Sequence, residues 1–290
     1  MMTWKNCLRS LTLISVALSL ELSLIPSSLA QVQANSQSEQ AIHSTTIVQF
    51  DAPEGEGSSN RGGGTRGKDK VFLHPCPYDE DKLSLPFSFL IPANYTVETI
   101  SDHPTFWLFV PETVAKQVWF ELTDEEGNIH YTTEVDITNT PGILSLEIPT
   151  TEAALEKGKY SVSATVVCGS YADLFDNSVE IEIEHIEGNS ILSSKLAQQP
   201  SLELAALYAK NGLWFETLTT LAQLRRSQPD NSTIIREWEQ LLQEELTKKL
   251  YQEKLEKYKN QEDGALRAEQ EAKVEAEAIA TQPLIDAIAQ

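Results

Sequence analysis

PTFWLFVPETVAKQVWFELTDEEGNIHYTTEVDITNTPGILSLEIPTTEAALEKGKYSVSATVVCG, Pro104 to Gly169, alternates short runs rich in Val, Ile, Tyr, Phe, Trp and Thr with Gly, Pro, Asn and Asp. Strands recurring about every 8 to 12 residues between such turn residues are the pattern of an all-β sandwich. Extending outward from this stretch, strands are predicted over Leu85 to Ile91, Thr105 to Val110, Gln117 to Leu122, Ile129 to Ile137, Ile143 to Ile148, Lys159 to Val167 and Val179 to Ile186. Together they suit one immunoglobulin-like antiparallel β-sandwich. Asp124 to Asn128 reads as a hairpin turn, with Gly127 and Asn128 supplying positive φ. Leu155, Gly158 and Tyr160 form L-x-x-G-x-Y, which resembles the tyrosine corner of sandwich domains and predicts a structural role for the Tyr hydroxyl on nearby backbone.

After Gly188 the apolar period changes from 2 to about 3.6. Leu202, Ala205, Ala206 and Ala209, then Leu213, Leu218, Leu221 and Leu224, write two amphipathic helices that break near Asn211-Gly212 and end at Pro229. Leu204, Ala205, Tyr208, Gly212, Leu221 and Pro229 sit at spacings similar to one tetratricopeptide repeat, with Thr217 where a small Ala is usual. Asn231-Ser232-Thr233 offers an N-cap for a third helix that carries Ile234, Ile235, Trp238, Leu241 and Leu242 and would close the open face of the pair. Beyond Glu244, Glu/Lys pairs at i,i+4 and the irregular spacing of Leu246, Leu250, Leu255 and Tyr258 predict a solvated charged helix. The chain thus reads as a signal peptide (1–30), a disordered Gly/Ser-rich leader (31–70), a β-sandwich domain (71–188), a tetratricopeptide-like helical hairpin module (195–246) and a charged helical tail (247–290).

Lys5 and Arg9 precede the apolar run Leu11 to Leu20 and the small-residue stretch Ser28-Leu29-Ala30, the layout of a secretory signal peptide cleaved after Ala30 or Ala34. Glu21 leaves that run short of the roughly 20 residues of a membrane span, so no stable span is expected after cleavage. The mature protein is expected to be exported, to the periplasm or the extracellular space, where disulfides persist. Cys7 leaves with the signal peptide, so Cys76 and Cys168 are predicted to pair. A bridge closing a loop of that length, roughly 90 residues, stabilises by roughly 4 to 5 kcal/mol in the chain-entropy model. The 290 residues include 22 Lys and Arg against 43 Asp and Glu, a net charge of −21. A field of this sign repels phosphate backbones, so a nucleic-acid partner is not expected.

No catalytic signature interrupts the chain, and neither a cofactor nor a metal is expected. Arg61 to Gly67, RGGGTRG, lacks the Lys-Ser/Thr that completes a phosphate-binding loop and reads as a linker. Glu180, Glu182 and Glu184 alternate with Val179, Ile181 and Ile183, which puts three carboxylates on one face and reads as a solvated strand edge. His43, His74, His103, His130 and His185 show no metal-ligand spacing. The expected function is a non-enzymatic binding or scaffolding protein of the cell envelope with a protein or peptide partner. Trp107, Trp119, Trp214 and Phe215 are its candidate interaction residues. The alternative is an envelope hydrolase or carbohydrate-active enzyme using Asp124, Glu125 and Asp173 as acid and base.

GGGTRG (Gly62 to Gly67), the Cys76 region, Leu90-Ile91-Pro92, HPTFWLFVP (His103 to Pro111), Pro141-Gly142-Ile143, LEKGKY (Leu155 to Tyr160), Val167-Cys168 and LYAKNGLWFETLTTLAQLR (Leu207 to Arg225) together resemble the cyanobacterial family known as domain of unknown function 928. The resemblance spans Arg61 to Leu242 and implies an exported protein of cyanobacterial type with no assigned reaction. The charged tail reads as an extension beyond it.

Overall fold

The computed structural model describes residues 48–51, 61–63, 76, 85–93, 97–167, 178–285 and 287–289. The unbroken apolar sequence at the head of the deciding stretch forms strand β4 (Thr105–Val110), buried on every residue but the first. A strand covered on both faces has no polar alternate, which is why this one does not follow the period of two. It belongs to a four-stranded sheet ordered β10 (Leu284–Ile285), β7 (Gly142–Glu147), β4, β2 (Ser88–Phe89). Phe106 meets Phe120 at 5.4 Å between ring centroids, and its neighbour Trp107 meets Trp238 edge-on at 5.8 Å.

Phe120 sits on β5 (Gln117–Asp124), in the larger sheet. Its order is β1 (Arg61–Gly63), β9 (Ser178–His185), β8 (Gly158–Val167), β5, β6 (Ile129–Asp136), β11 (Ile288–Ala289), with β3 (Val97–Thr99) also paired to β9. Here β5 and β8 alternate buried with part-exposed residues, as strands with one face on the core must. Trp238 sits on α4 (Ser232–Tyr258), which follows α1 (Ser190–Ser193), α2 (Leu202–Lys210) and α3 (Trp214–Ser227) and precedes α5 (Gly264–Ala280). The chain is therefore a mixed β and α protein in which the small sheet is the middle layer. The large sheet covers one face, α3 and α4 cover the other, and all share one apolar cluster.

Several expectations change. β9 is not a strand edge: β1 pairs with it at Ser178 to Glu180 and β3 at Ile183 to His185, and Ser161 Oγ donates to Glu180 Oε1. Partners distant in sequence closed a side that local alternation left open. Within the stretch read as a disordered leader, Val48 and Phe50 are core residues. Val48 N–H donates to Glu237 Oε2 at 2.8 Å, Asp51 N–H to the Ala209 carbonyl at 3.1 Å, and Phe50 stacks edge-on against Trp214 at 4.9 Å. The Asp124 to Asn128 turn forms, but positive φ falls on Gly127 alone (+81°). Asn128 instead donates from its backbone and side chain to the two oxygens of the Asp124 carboxylate, at 2.7 and 2.8 Å.

The tail departs furthest from its expected form. α4 runs without a break past Glu244 and folds back into α5, where Gly264 allows the turn: a Cβ there would lie 2.2 Å from the Tyr258 carbonyl. Ala268, Ala272, Ala276 and Ala280, four apart, make a flat buried stripe that lets α5 approach α4 closely. Polar side chains flank that seam: Lys254 donates to Glu275 at 2.7 Å and the Tyr258 hydroxyl to Glu271 at 2.7 Å. Beyond it, Leu284 and Ile285 pair with Ile143 and Leu144 of the small sheet, and Ile288 and Ala289 with Asp136 and Val135 of the large one. The stripe leaves no apolar period in the sequence because alanine carries too little apolar contrast among Glu and Lys.

At the head of β8, the Tyr160 hydroxyl donates to the Glu156 carbonyl at 2.9 Å and accepts from the Glu156 N–H at 3.0 Å, over buried Leu155. Tyr160→Phe strands both groups at once. It is expected to lower the unfolding free energy by about 0.5 to 1.5 kcal/mol in urea titration, with ligand binding retained.

Candidate functional site

A groove of about 240 Å³ lies between the small sheet and the helices. Its floor is the helix-facing side of two paired rows, Thr105 opposite Glu147 and Trp107 opposite Ser145. One wall is a polar stripe of α3, Glu216, Thr219, Thr220, Gln223 and Arg226, which fall on one face because their spacing is three, one, three and three residues. The other wall is Leu204 and Tyr208 of α2 with the segment before it, Leu196 to Pro200. The residues leaving β3, Thr99 and Ser101, close the inner end with His103 and Pro104.

At that inner end Glu216 is buried, 5% exposed. It stands in the first turn of α3, where backbone N–H groups lack helical acceptors and the helix dipole favours an anion. Its Oε1 accepts from Thr99 Oγ1 at 2.7 Å, Ile100 N–H at 2.9 Å and Ser101 N–H at 3.2 Å. One carboxylate oxygen thereby fixes the exit of β3 to the start of α3, more than a hundred residues later in sequence. Burial nonetheless pushes the Glu216 carboxyl above the usual carboxylate range, against the lowering effect of those bonds. The Tyr208 hydroxyl is pushed up to about 12 by burial and then by the neighbouring Glu216 charge. Among the described residues neither Glu216 Oε2 nor the Tyr208 hydroxyl has a hydrogen-bond partner.

The other end of the groove is open. Gln223 and Arg226 are exposed there, and Arg226 donates to Ser145 Oγ at 3.0 Å while its guanidinium lies 5.7 Å from the Trp107 ring centroid. Trp107 itself donates from Nε1 to Thr219 Oγ1 at 3.2 Å, bracing floor against wall.

A family model described as Domain of Unknown Function (DUF928) matches residues 61–255. The chain belongs to the DUF928 family. Every residue lining the groove falls within the DUF928 match, whereas α5, β10 and β11 lie beyond it. No curated protein matches the chain.

The aromatics singled out from sequence sit in the DUF928 fold as follows. Trp107, Trp214 and Phe215 are buried, and only Trp119, on β5, is partly exposed. Trp214 donates to the Leu90 carbonyl at 2.6 Å and Phe215 packs edge-on against Phe106 at 5.1 Å, so both join layers, and Phe215 also lines the groove. Asp124 is held below the usual carboxylate range by the side chain and backbone of Asn128, and Glu125 lies exposed in the same turn. The Asp124 carboxylate thus serves the hairpin, with both oxygens accepting from Asn128. Asp173 and Cys168 lie outside the described residues, as do residues 1–47 with the signal peptide reading; Cys76 is buried in the core. Among the described residues no helix is long and apolar enough to cross a membrane.

Sequence reasoning missed Glu216 and Tyr208. The signal was available in the polar residues of WFETLTTLAQLRR at Glu216, Thr219, Thr220, Gln223 and Arg226, one stripe down an otherwise apolar helix. What that stripe faces depends on β4 and β7, which local periodicity does not bring near.

Proposed function

We propose that this DUF928 protein is an exported, non-enzymatic binding protein of a cyanobacterial-type cell envelope that holds a small ligand, or one side chain of a peptide partner, in the groove between the small sheet and α3. The observation that carries this reading is the buried Glu216 carboxylate at the closed end of an open groove, with one oxygen anchored by β3 and the other unpartnered. Binding sites place a few polar groups in a shaped cleft, and two of the six buried side-chain atoms without a hydrogen-bond partner among the described residues, Glu216 Oε2 and the Tyr208 hydroxyl, belong to this lining. The layering supports an immunoglobulin-like sandwich capped by a tetratricopeptide-like helix pair, two architectures that present clefts; fold alone assigns no ligand. The burial of Cys76 supports its pairing with Cys168 in an oxidising compartment.

The test is a thermal shift with the small-molecule and peptide fraction of a cell-envelope extract. The melting temperature of the protein should rise, and Gln223→Trp, which fills the exposed mouth, should abolish the rise without lowering the starting value. Equal shifts for the two proteins would remove the groove from consideration.

One observation favours a second reading as an envelope hydrolase. Glu147 is exposed and Glu216 buried in the same groove beside Trp107, and two carboxylates in unlike environments are what acid and base chemistry on a polymer requires. Release of soluble fragments from envelope polysaccharide by the protein, lost in Glu147→Gln, would establish that reading in place of the first.

A further inference from the structure

Resting on the groove as a binding site, we infer that its ligand carries a primary ammonium group, seated at the inner end between Glu216 Oε2 and the Tyr208 hydroxyl. A buried carboxylate oxygen calls for a donor, and a charged donor makes the stronger bond. An ammonium group brings three N–H donors and no acceptor. The inner end offers acceptors to match: Glu216 Oε2 and the Tyr208 hydroxyl, which have no partner among the described residues, with the hydroxyls of Thr99 and Thr220 close by on the same lining.

A divalent cation fits less well, because it needs several oxygen ligands with more than one carboxylate. Among the described residues no cluster of three acidic, His or Cys side chains gathers to hold one. The volume of about 240 Å³ suits a slender chain behind the ammonium group, and Trp107 and Phe215 supply apolar surface along it. The net charge of −21 draws cations toward the protein. A lysine side chain of a peptide and a free alkylamine share this chemistry.

The test is calorimetric titration of the whole protein with n-butylamine, which reproduces the end of a lysine side chain, and with 1-butanol as the uncharged match. An acetylated, amidated tripeptide centred on lysine is compared with its norleucine counterpart. The ammonium ligands should bind one to one, and their neutral counterparts about thirtyfold more weakly or not at all. A peptide that exceeds butylamine identifies a peptide partner; equality identifies a free amine.

Binding should also release a proton across the pH range in which burial keeps Glu216 protonated in the free protein, read as a heat that varies with the ionisation enthalpy of the buffer. Affinity should therefore climb as pH rises from the ordinary carboxylate range to the raised value of Glu216 in the free protein, and level off above it. Tyr208 from α2, Arg226 from α3, Glu147 from β7 and His103 from the turn before β4 also face the groove. The climb must accordingly vanish in Glu216→Gln, together with most of the affinity.

Tyr208→Phe, which removes a hydroxyl that bonds nothing among the described residues, should weaken the amine several-fold and leave the fold intact. If Glu216→Gln does not fold, Tyr208→Phe and the proton count decide. Equal affinity for amine and alcohol, or full amine affinity without proton release, overturns the ammonium assignment. If the amines fail while the envelope fraction still raises the melting temperature of the protein and not of Gln223→Trp, the assignment falls and the binding reading stands. If that shift is absent as well, both fall.

Discussion

Trp107→Ala is expected to lower the unfolding free energy by about 3 to 5 kcal/mol, the usual cost of truncating a large buried aromatic. Its indole is 1% exposed and braces the small sheet against both α3 and α4. One edge donates to Thr219 Oγ1, the ring meets Trp238, and the Arg226 guanidinium lies above it. Removal opens a cavity between two layers that cannot collapse independently, because β4 is also fixed from its opposite face by Phe106 on Phe120. Trp119→Ala, at a partly exposed position on the large sheet, should cost about 1 kcal/mol, the typical size for a single substitution. Urea titrations of the two variants test the contrast, and equal midpoints would mean that Trp107 does not join the layers as described.

Glu216→Ala should be comparably damaging, by about 3 kcal/mol, because it strands the Thr99 hydroxyl proton and the Ile100 N–H away from water, while the Ser101 N–H keeps Thr99 Oγ1 as an acceptor. Glu216→Gln keeps an oxygen for those donors and separates charge from hydrogen bonding. The sign follows from burial: the folded protein holds the Glu216 proton to higher pH than the unfolded chain does. This group therefore costs nothing below its unfolded value. It removes stability as pH rises from there to its raised folded value, by at most about 1.4 kcal/mol per pH unit. Across that window the stability of Glu216→Gln relative to the parent should climb with pH and then level off. A difference between the two proteins that stays constant with pH would show that Glu216 titrates normally.

Much of the architecture was legible because it depends on residues near one another. β4 came out with its predicted limits, Thr105–Val110, and β5, β6, β7 and β8 came within two residues of theirs. α2 and α3 were read from their apolar spacing and the break at Asn211-Gly212. Asn231 caps α4 by accepting from Thr233 and Ile234 N–H, as the Asn-Ser-Thr run suggested. Each of these features is set by a period, a cap or a turn only a few residues long.

The short strands β1, β3, β10 and β11 left no such trace. Two or three residues carry no period, and they become strands only because another strand offers them hydrogen bonds. The candidate site belongs to the same class. Glu216 reads as an ordinary helix glutamate until Thr99, Ile100 and Ser101 arrive from β3 to hold it, and nothing near Trp107 in sequence shows that α3 and α4 pack against it.

The sequence by itself determined the strand and helix content of the central region, its acidic character and its resemblance to DUF928, because composition, period and motif are properties of neighbouring residues. The tertiary structure alone decided that the small sheet lies between two layers, that the charged tail folds back onto α4 and into both sheets, and that a buried carboxylate ends a groove. Each of those follows from contacts between segments tens to hundreds of residues apart, and burial, which turns an ordinary Glu or Trp into a functional or structural one, is a property of the assembled fold.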